Sequence, residues 1–331
     1  MRQQHVVHLR CAACRGCLDL SRVTRRDGDR VEEGLLACRS CAARTPIVRY
    51  VPRFVDSENY AAGFGLQWNL HARTQLDSAT GLSVTRDRFF SQTKWPIRLD
   101  GQLVLEVGGG AGRFTEQAAS TGATVVSLDY SSAVDANYRN NGMRENVLIV
   151  QGDLYQMPFP TEYFDRVFCL GVLQHTPDPA SSFAALVDAV KPGGSLAVDV
   201  YARTFAAYWL HARYWVRPLV RAIPNAQLYS LVRRYVDVMW PVVCALRQVP
   251  PIGASLAHRL LMISDFSGFG LPPDRVKEWA YLDTYDMLAP RYDLPQSVET
   301  VRSWFEKARF GDVEVHRGYN GVEGRGVRSH G

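Results

Sequence analysis

No run of about 18 uninterrupted apolar residues occurs in this 331-residue chain, so nothing in it reads as a membrane span. Its first residues, MRQQHVVHLRC, lack the apolar centre of a secretion signal, which makes the cytosol the expected compartment and the protein cytoplasmic. Long runs of one charge are missing too. The net charge is +5 and the arginines are dispersed, so charge alone gives no argument for a nucleic-acid partner. Cysteine is scarce beyond position 41, where only Cys169 and Cys244 remain, and Cys169 sits among apolar neighbours as a core residue. What is present, 47% hydrophobic and 21% charged residues, is the composition of an ordinary globular protein with a substantial core. One domain of about 100 to 200 residues does not use up the length, so one main domain with additions is expected.

The other five cysteines crowd into the first 41 residues: Cys11, Cys14 and Cys17, then Cys38 and Cys41. In a reducing compartment such a group reads as metal ligands before disulfides. Each CxxC forms a tight turn that aims two thiolates at one point, and two such turns supply the four soft ligands of a tetrahedral structural zinc. GDRVEEGLLAC reads as a hairpin spanning the gap between the pairs. Cys17 makes the ligand choice ambiguous; the set taken is Cys11, Cys14, Cys38 and Cys41, because both pairs then have equal spacing. His5 and His8 are nearby and read as bystanders. The stretch 9–55, with TPIVRYVPRFV after the second pair, resembles the small zinc ribbons related to the Trm112 family. All four positions would be filled by protein, which makes the metal structural.

Over 56–98 the character changes. Tyr60, Phe64 and Trp68 fall on one face of a helix. That face either packs on the core or forms a lid over a pocket, with Trp68 reaching a cofactor. TRDRFFSQTKWP reads as a second short helix closed by Pro96.

The centre of the chain is LVLEVGGGAGRF, at 103–114: an apolar strand ending in Glu106, a glycine turn, and a helix start. Glycines allow backbone angles closed to other residues and let a ligand approach the main chain, while the helix start offers unpaired N–H groups. A second buried strand, ATVVSLDYS, ends at Asp129, and the 21 positions from Gly108 match an acidic residue that accepts ribose hydroxyls. A nicotinamide enzyme would show the same two features. The third is VLIVQGDLYQMPFPTEYFDRVFCLGVLQHTPDP, two further strands with Asp153 after the first and a loop holding His175 after the second. KPGG then precedes a fifth strand.

EVGGGAG, LDYS, GDLYQMPFP with FD, and KPGG together resemble the class I S-adenosylmethionine-dependent methyltransferases, in the broad small-molecule group, over 103–201. The fold implied is α/β: a Rossmann-like seven-stranded sheet with helices on both faces, here with an N-terminal zinc ribbon and a helical cap insertion. The cofactor implied is S-adenosyl-L-methionine. Glu106, Gly108, Gly110 and Gly112 would cradle its methionine part, Asp129 with Tyr130 would hold the ribose, and Asp153 with Leu154 would flank the adenine. Leu170 would close the amino-acid side.

Methyl transfer to a hydroxyl or ammonium also needs a base, and His175 is the candidate, the alternative being a loop-shaping histidine in the QHTPDP turn. Residues 203–295 intervene before the last elements, as a cap cut into short helices by Pro218, Pro224, Pro241 and Pro250-Pro251. Arg213, Arg217 and Arg221 form a basic stripe beside Tyr208, Trp209 and Trp215; it is either the wet face of a cap or a membrane-surface contact. In WAYLDTYDMLAPRYDLPQ, the groups Asp283, Tyr285, Asp286, Arg291, Tyr292 and Asp293 crowd between prolines and read as a substrate-facing loop, similar to the segment before the last helix in methyltransferases of bacterial biosynthetic clusters. Asp283, Tyr285 and Tyr292 join His175 as catalytic candidates. A last helix from Ser297 and a hairpin, GDVEVHRG with GVEGRGVR, complete the core over 296–331.

The division expected is therefore 1–55 ribbon, 56–98 lid, 99–202 cofactor core, 203–295 cap and 296–331 final helix and hairpin. The function expected is methyl transfer to oxygen or nitrogen of a small or medium-sized biosynthetic metabolite. The alternatives are an RNA methyltransferase, against which the NPPY-type tetrapeptide is replaced by LGVLQH, and a non-catalytic cofactor-binding scaffold.

Overall fold

The computed structural model describes residues 1–203, 211–249 and 252–330. Strand β1 (Leu18–Asp27) turns back on β2 (Arg30–Cys38), the hairpin expected from GDRVEEGLLAC. β3 (Arg44–Val48) and β4 (Val51–Pro52) complete a four-stranded antiparallel sheet in chain order. The connection between them, Arg49-Tyr50, carries two non-glycine residues at positive φ, 49° and 69°, the hand that a two-residue hairpin requires. The Tyr50 ring stacks on Tyr138 at 4.8 Å and fixes that turn on the large domain.

This sheet is no separate bead. Leu9, Leu18, Leu36 and Ile47 belong to the same buried cluster as Leu105, Val107 and Leu128. Arg15 donates to the carbonyls of Met157 and Phe159, each at 2.6 Å, and Arg53 pairs with Asp135 at 2.6 Å. His5 and His8, expected as bystanders, brace the same junction through the Glu145 carbonyl and the Tyr163 hydroxyl.

Helices α1 (Ala62–Leu70), α2 (Asp77–Thr80) and α3 (Val84–Thr93) follow, and α3 buries Phe89 against Trp95 and Phe168. The large sheet contains β5 (Leu103–Val107), β6 (Thr124–Asp129), β7 (Val147–Gln151), β8 (Phe164–Leu170), β9 (Val190–Val200), β10 (Phe310–Gly318) and β11 (Gly321–Arg328). Its spatial order is β10-β11-β9-β8-β5-β6-β7, with β5 to β9 parallel and the last two strands antiparallel. Parallel strands covered on both faces are apolar throughout, which is why they were visible as unbroken runs. The covering helices include α4 (Arg113–Ser120), α5 (Val134–Asn141) and α6 (Pro179–Ala189). The order reverses at β5, and such a reversal opens a crevice at the carboxyl ends of the strands.

The cap comprises α7 (Ala212–Val220), α8 (Asn225–Leu246), α9 (Ile252–Leu260) and α10 (Pro273–Leu288), around an apolar cluster with Leu228, Val232, Val236, Ile263 and Leu288. Then α11 (Val298–Lys307) starts at Ser297, whose side chain accepts from the Thr300 amide, and leads into the final hairpin.

Two expectations need correction. The segment read as a substrate-facing loop is helical as far as Leu288, so Asp283, Tyr285 and Asp286 all lie on α10. The prolines that argued for a loop fall outside its interior: Pro272 and Pro273 start it, where a missing N–H costs nothing, and Pro290 and Pro295 come after its end. Pro241 and Pro218 likewise do not cut the cap; both lie inside helices. One lost backbone bond at Pro241 is outweighed by Val236 and Val243, buried on either side of it. Tyr208, Trp209 and Pro250-Pro251 lie outside the described residues.

Candidate active site

The crevice at the reversal of β5 holds a cavity of about 290 Å³. Its floor is the glycine turn. At Gly108, φ is +83°, and a Cβ would lie 2.2 Å from Val172 Cγ2, so no other residue closes the turn against the loop after β8. The Gly110 amide donates to Asp129 Oδ2 at 2.8 Å, and Asp129 Oδ1 accepts from the Ser131 amide and hydroxyl. These bonds orient a carboxylate that lines the cavity from the end of β6, although burial raises its pKa.

Two residues assigned to the cradle stand behind it. Glu106 is fully buried, accepting from the hydroxyls of Thr115 and, at 2.7 Å, Ser127, and burial pushes its pKa up to about 7. It ties β5 to α4 and β6 and is not on the cavity wall. Gly112 is not on the wall either. Its Cβ would come within 2.2 Å of Asn137 and 2.4 Å of Asn141, so its smallness seats α4 on α5.

The lid residues converge as one face: Tyr60, Phe64 and Trp68 all line the cavity, and Trp68 packs directly over Gly110. Tyr130, Leu154 and Leu170 line it as well. Asp153 is not on the wall: its Oδ1 accepts from the Tyr155 amide at 2.9 Å and starts the short turn that presents Leu154. Sequence reasoning missed a polar cluster at the opposite end. Arg88 pairs with Asp199 at 2.5 Å, and Asp199 also accepts from Gln92, Asn320 and the Gly171 amide. Arg113 stands over the Phe114 ring at 4.6 Å and has no ion-pair partner among the described residues; burial and the neighbouring Arg88 lower its pKa to about 10. The acid inside the apolar strand LAVDV was the one available signal for this cluster.

The cap side of the cavity carries His175, Tyr201, Phe266, Trp279, Asp283 and Asp286. His175 is 8% exposed, with Nδ1 3.0 Å from the Tyr292 carbonyl oxygen and the rings of Phe64 and Tyr201 at 5.1 and 5.4 Å. Because a carbonyl only accepts, Nδ1 carries a proton, so in the neutral ring the lone pair is on Nε2. Trp279, Leu282, Asp283 and Asp286 recur at helical spacing, so α10 turns one partly polar face inward. Asp286 accepts from Gln67 at 3.1 Å and from the Tyr201 hydroxyl. Asp283 accepts from Ser264, which accepts from His258 Nδ1 at 2.8 Å; burial pushes the Asp283 pKa up to about 6. The other two catalytic candidates are off the wall. Tyr285 is on the far side of α10, fully buried and edge-on to Tyr229 in the cap core. Tyr292 contributes its carbonyl to His175 while its ring packs on Tyr60.

In the ribbon, the Sγ atoms of Cys11, Cys14, Cys38 and Cys41 lie within 4.8 Å of one another, with Cys14 3.4 Å from both Cys38 and Cys41. Four thiolates about 2.3 Å from one ion sit at nearly these mutual distances, so the set fits a tetrahedral zinc. Cys17 is exposed and outside the group. The large cavity fits S-adenosylmethionine: a glycine floor without room for side chains, a carboxylate at the end of β6, and the Arg113 guanidinium, held by Gln75 Oε1 at 2.5 Å and without an ion-pair partner among the described residues, for the carboxylate of an amino acid.

A methyltransferase-domain family model matches residues 105–198. The ubiquinone biosynthesis O-methyltransferase of Xylella fastidiosa (strain 9a5c) is 31% identical over 195 residues, covering 54% of this chain and 72% of that protein. Its counterpart in Xanthomonas oryzae pv. oryzae (strain PXO99A) is 30% identical over 192 residues, covering 54% and 74%. Among solved structures, a chain of the complex between the Haloferax volcanii Trm112 methyltransferase activator and its methyltransferase matches with a TM-score of 0.45, at 13% identity over 83% of this chain and 100% of that one. With the strand order, the glycine floor and Asp129 already in place, the relatives settle the assignment: the chain belongs to the class I S-adenosylmethionine-dependent methyltransferases and is an enzyme of that family.

Proposed function

We propose that this enzyme methylates a hydroxyl oxygen of a small or medium-sized metabolite in a biosynthetic pathway. The observation that carries the reading is the tautomer of His175: a ring on the cavity wall whose Nδ1–H is committed to the Tyr292 carbonyl and whose Nε2 is left as an acceptor. The O-methyltransferases to which the chain is similar support oxygen over nitrogen.

When bound, S-adenosylmethionine supplies a methyl group already activated on a sulfonium, so alignment and a dry site are most of what the protein adds. Gly108, Gly110, Trp68 and Arg113 would hold the amino-acid end, Asp129 with Tyr130 the ribose, and Leu154 with Leu170 the apolar flanks. Asp283 and Asp286 accept hydrogen bonds from donors on the acceptor molecule. Phe64, Tyr201, Phe266 and Trp279 exclude water. His175 Nε2 takes the hydroxyl proton, and the imidazolium keeps its Nδ1–H bond to Tyr292.

The test is incubation of the purified protein with methyl-labelled cofactor and separate metabolite and RNA pools. Label in a metabolite as a methyl ether supports the reading; label only in RNA, on nitrogen, or in a carboxyl ester overturns it. His175→Gln should lower kcat by about a hundredfold or more, whereas unchanged turnover across pH removes His175 as the base.

A further inference from the structure

The positive charge of this protein is not spread over it. Between positions 202 and 264 the sequence has eight arginines, no lysine and one acid, Asp237, a net +7; the whole chain is +5, which leaves −2 for everything else. The same stretch turns apolar residues outward. On α7, Trp215 and Leu219 are one turn apart and 59% and 79% exposed. On α8, Leu231, Val238 and Val242 form an exposed row with Arg234 inside it, and Val238 is 74% exposed. On α9, Ile252, Leu256 and Leu260 repeat every fourth residue, all exposed, beside Arg259. Since α9 packs against both α7 and α8, the three rows belong to one cap.

Exposed apolar rows of this extent on adjacent helices mark a contact surface. Arg234 and Arg259 are exposed and have no carboxylate partner among the described residues, unlike Arg217 and Arg247, which pair with Asp293 and Asp265. Apolar rows with tryptophan and leucine, edged by arginines and almost free of acids, match a bilayer interface with anionic headgroups. A second copy of the chain fits less well, because two such caps face to face would set like charges together.

We infer that α7, α8 and α9 form a docking face for the surface of an anionic phospholipid bilayer. The face lies on the outside of the cap whose inner helix, α10, lines the cavity. An enzyme docked in this way sits where an amphipathic acceptor is concentrated.

The experiment is flotation of the full-length protein with vesicles of phosphatidylcholine alone and of phosphatidylcholine containing phosphatidylglycerol. It needs no acceptor, so its outcome is independent of the proposed chemistry. We expect the bound fraction on anionic vesicles to exceed that on neutral ones by about tenfold or more, and the double variant Arg234→Glu, Arg259→Glu to lose that excess. Val238→Glu should weaken binding as well, while Arg22→Glu, on the exposed face of the ribbon, should not. Each variant is checked for native circular dichroism and for S-adenosylhomocysteine binding. Absence of flotation, equal binding to both vesicle types, or wild-type binding by the folded double variant overturns the inference. So does a dimer in sedimentation velocity that Val238→Glu abolishes while no vesicle binding is seen.

Discussion

A methyl group added at Gly108 would meet Val172 at 2.2 Å on a residue whose φ is +83°. Gly108→Ala should therefore weaken S-adenosylhomocysteine binding in calorimetry by about 1–3 kcal/mol or more, the scale of strain at such a position. Asp283 makes a pH-dependent prediction. Its folded pKa of about 6 lies above the 3.8 of the free group, so the native state binds more protons between these values and stability falls as pH rises through that window. Asp283→Asn removes the charged form, and its Tm should exceed the wild-type value above about pH 6, with the gap closing by about pH 4. A gap that is constant across pH would mean that Asp283 is ordinarily solvated. At this scale the sequence was legible for the placement of Asp129 and His175, which both line the cavity. It was not legible for Arg88, Arg113 and Asp199, because their roles come from positions 88 to 199 meeting in space, and an arginine in TRDRFF looks like any solvated one.

Among the elements, the ribbon carries the clearest test. One zinc per chain is expected by elemental analysis, retained by Cys17→Ser and lost by Cys38→Ser. Because Leu18 and Leu36 share a core with Leu105 and Val107, a chelator should lower the Tm of the whole protein by more than about 5 °C. A small separate transition with the main one unmoved would contradict that shared core. The spacing of the cysteines pointed to a cluster of four thiolates but left Cys17 in play, since Cys14 and Cys17 also read CxxC; the fold is what gathers Cys11, Cys14, Cys38 and Cys41. Helix α10 was misread for the opposite reason. Its polar groups at 283 and 286 face a cavity, and its apolar Tyr285 faces the cap core, so the pattern inverts the usual amphipathic rule and looks irregular on paper.

Across the whole molecule, the strand sequence and its crevice were readable from runs such as VLIV and LVLEV, because a parallel sheet leaves little choice of composition or of handedness. How the cap closes over it was not, since that depends on helix faces meeting across more than 200 positions, as Gln67 meets Asp286. The cavity wall draws on 60–76 from the lid, 108–114 and 170–176 from the sheet, 266–286 from the cap and 319–320 from the last hairpin. A molecule bound there is a keystone: it touches stretches that the chain itself joins only through long detours. Its binding energy must then appear as resistance to local opening in all of them at once. At a hundredfold excess over Kd that is about 2.7 kcal/mol, or about a hundredfold slowing of amide exchange. S-adenosylhomocysteine should slow exchange in the lid and the cap together with the glycine turn, and slowing confined to 108–114 would show that the enclosure opens and shuts without regard to what it contains.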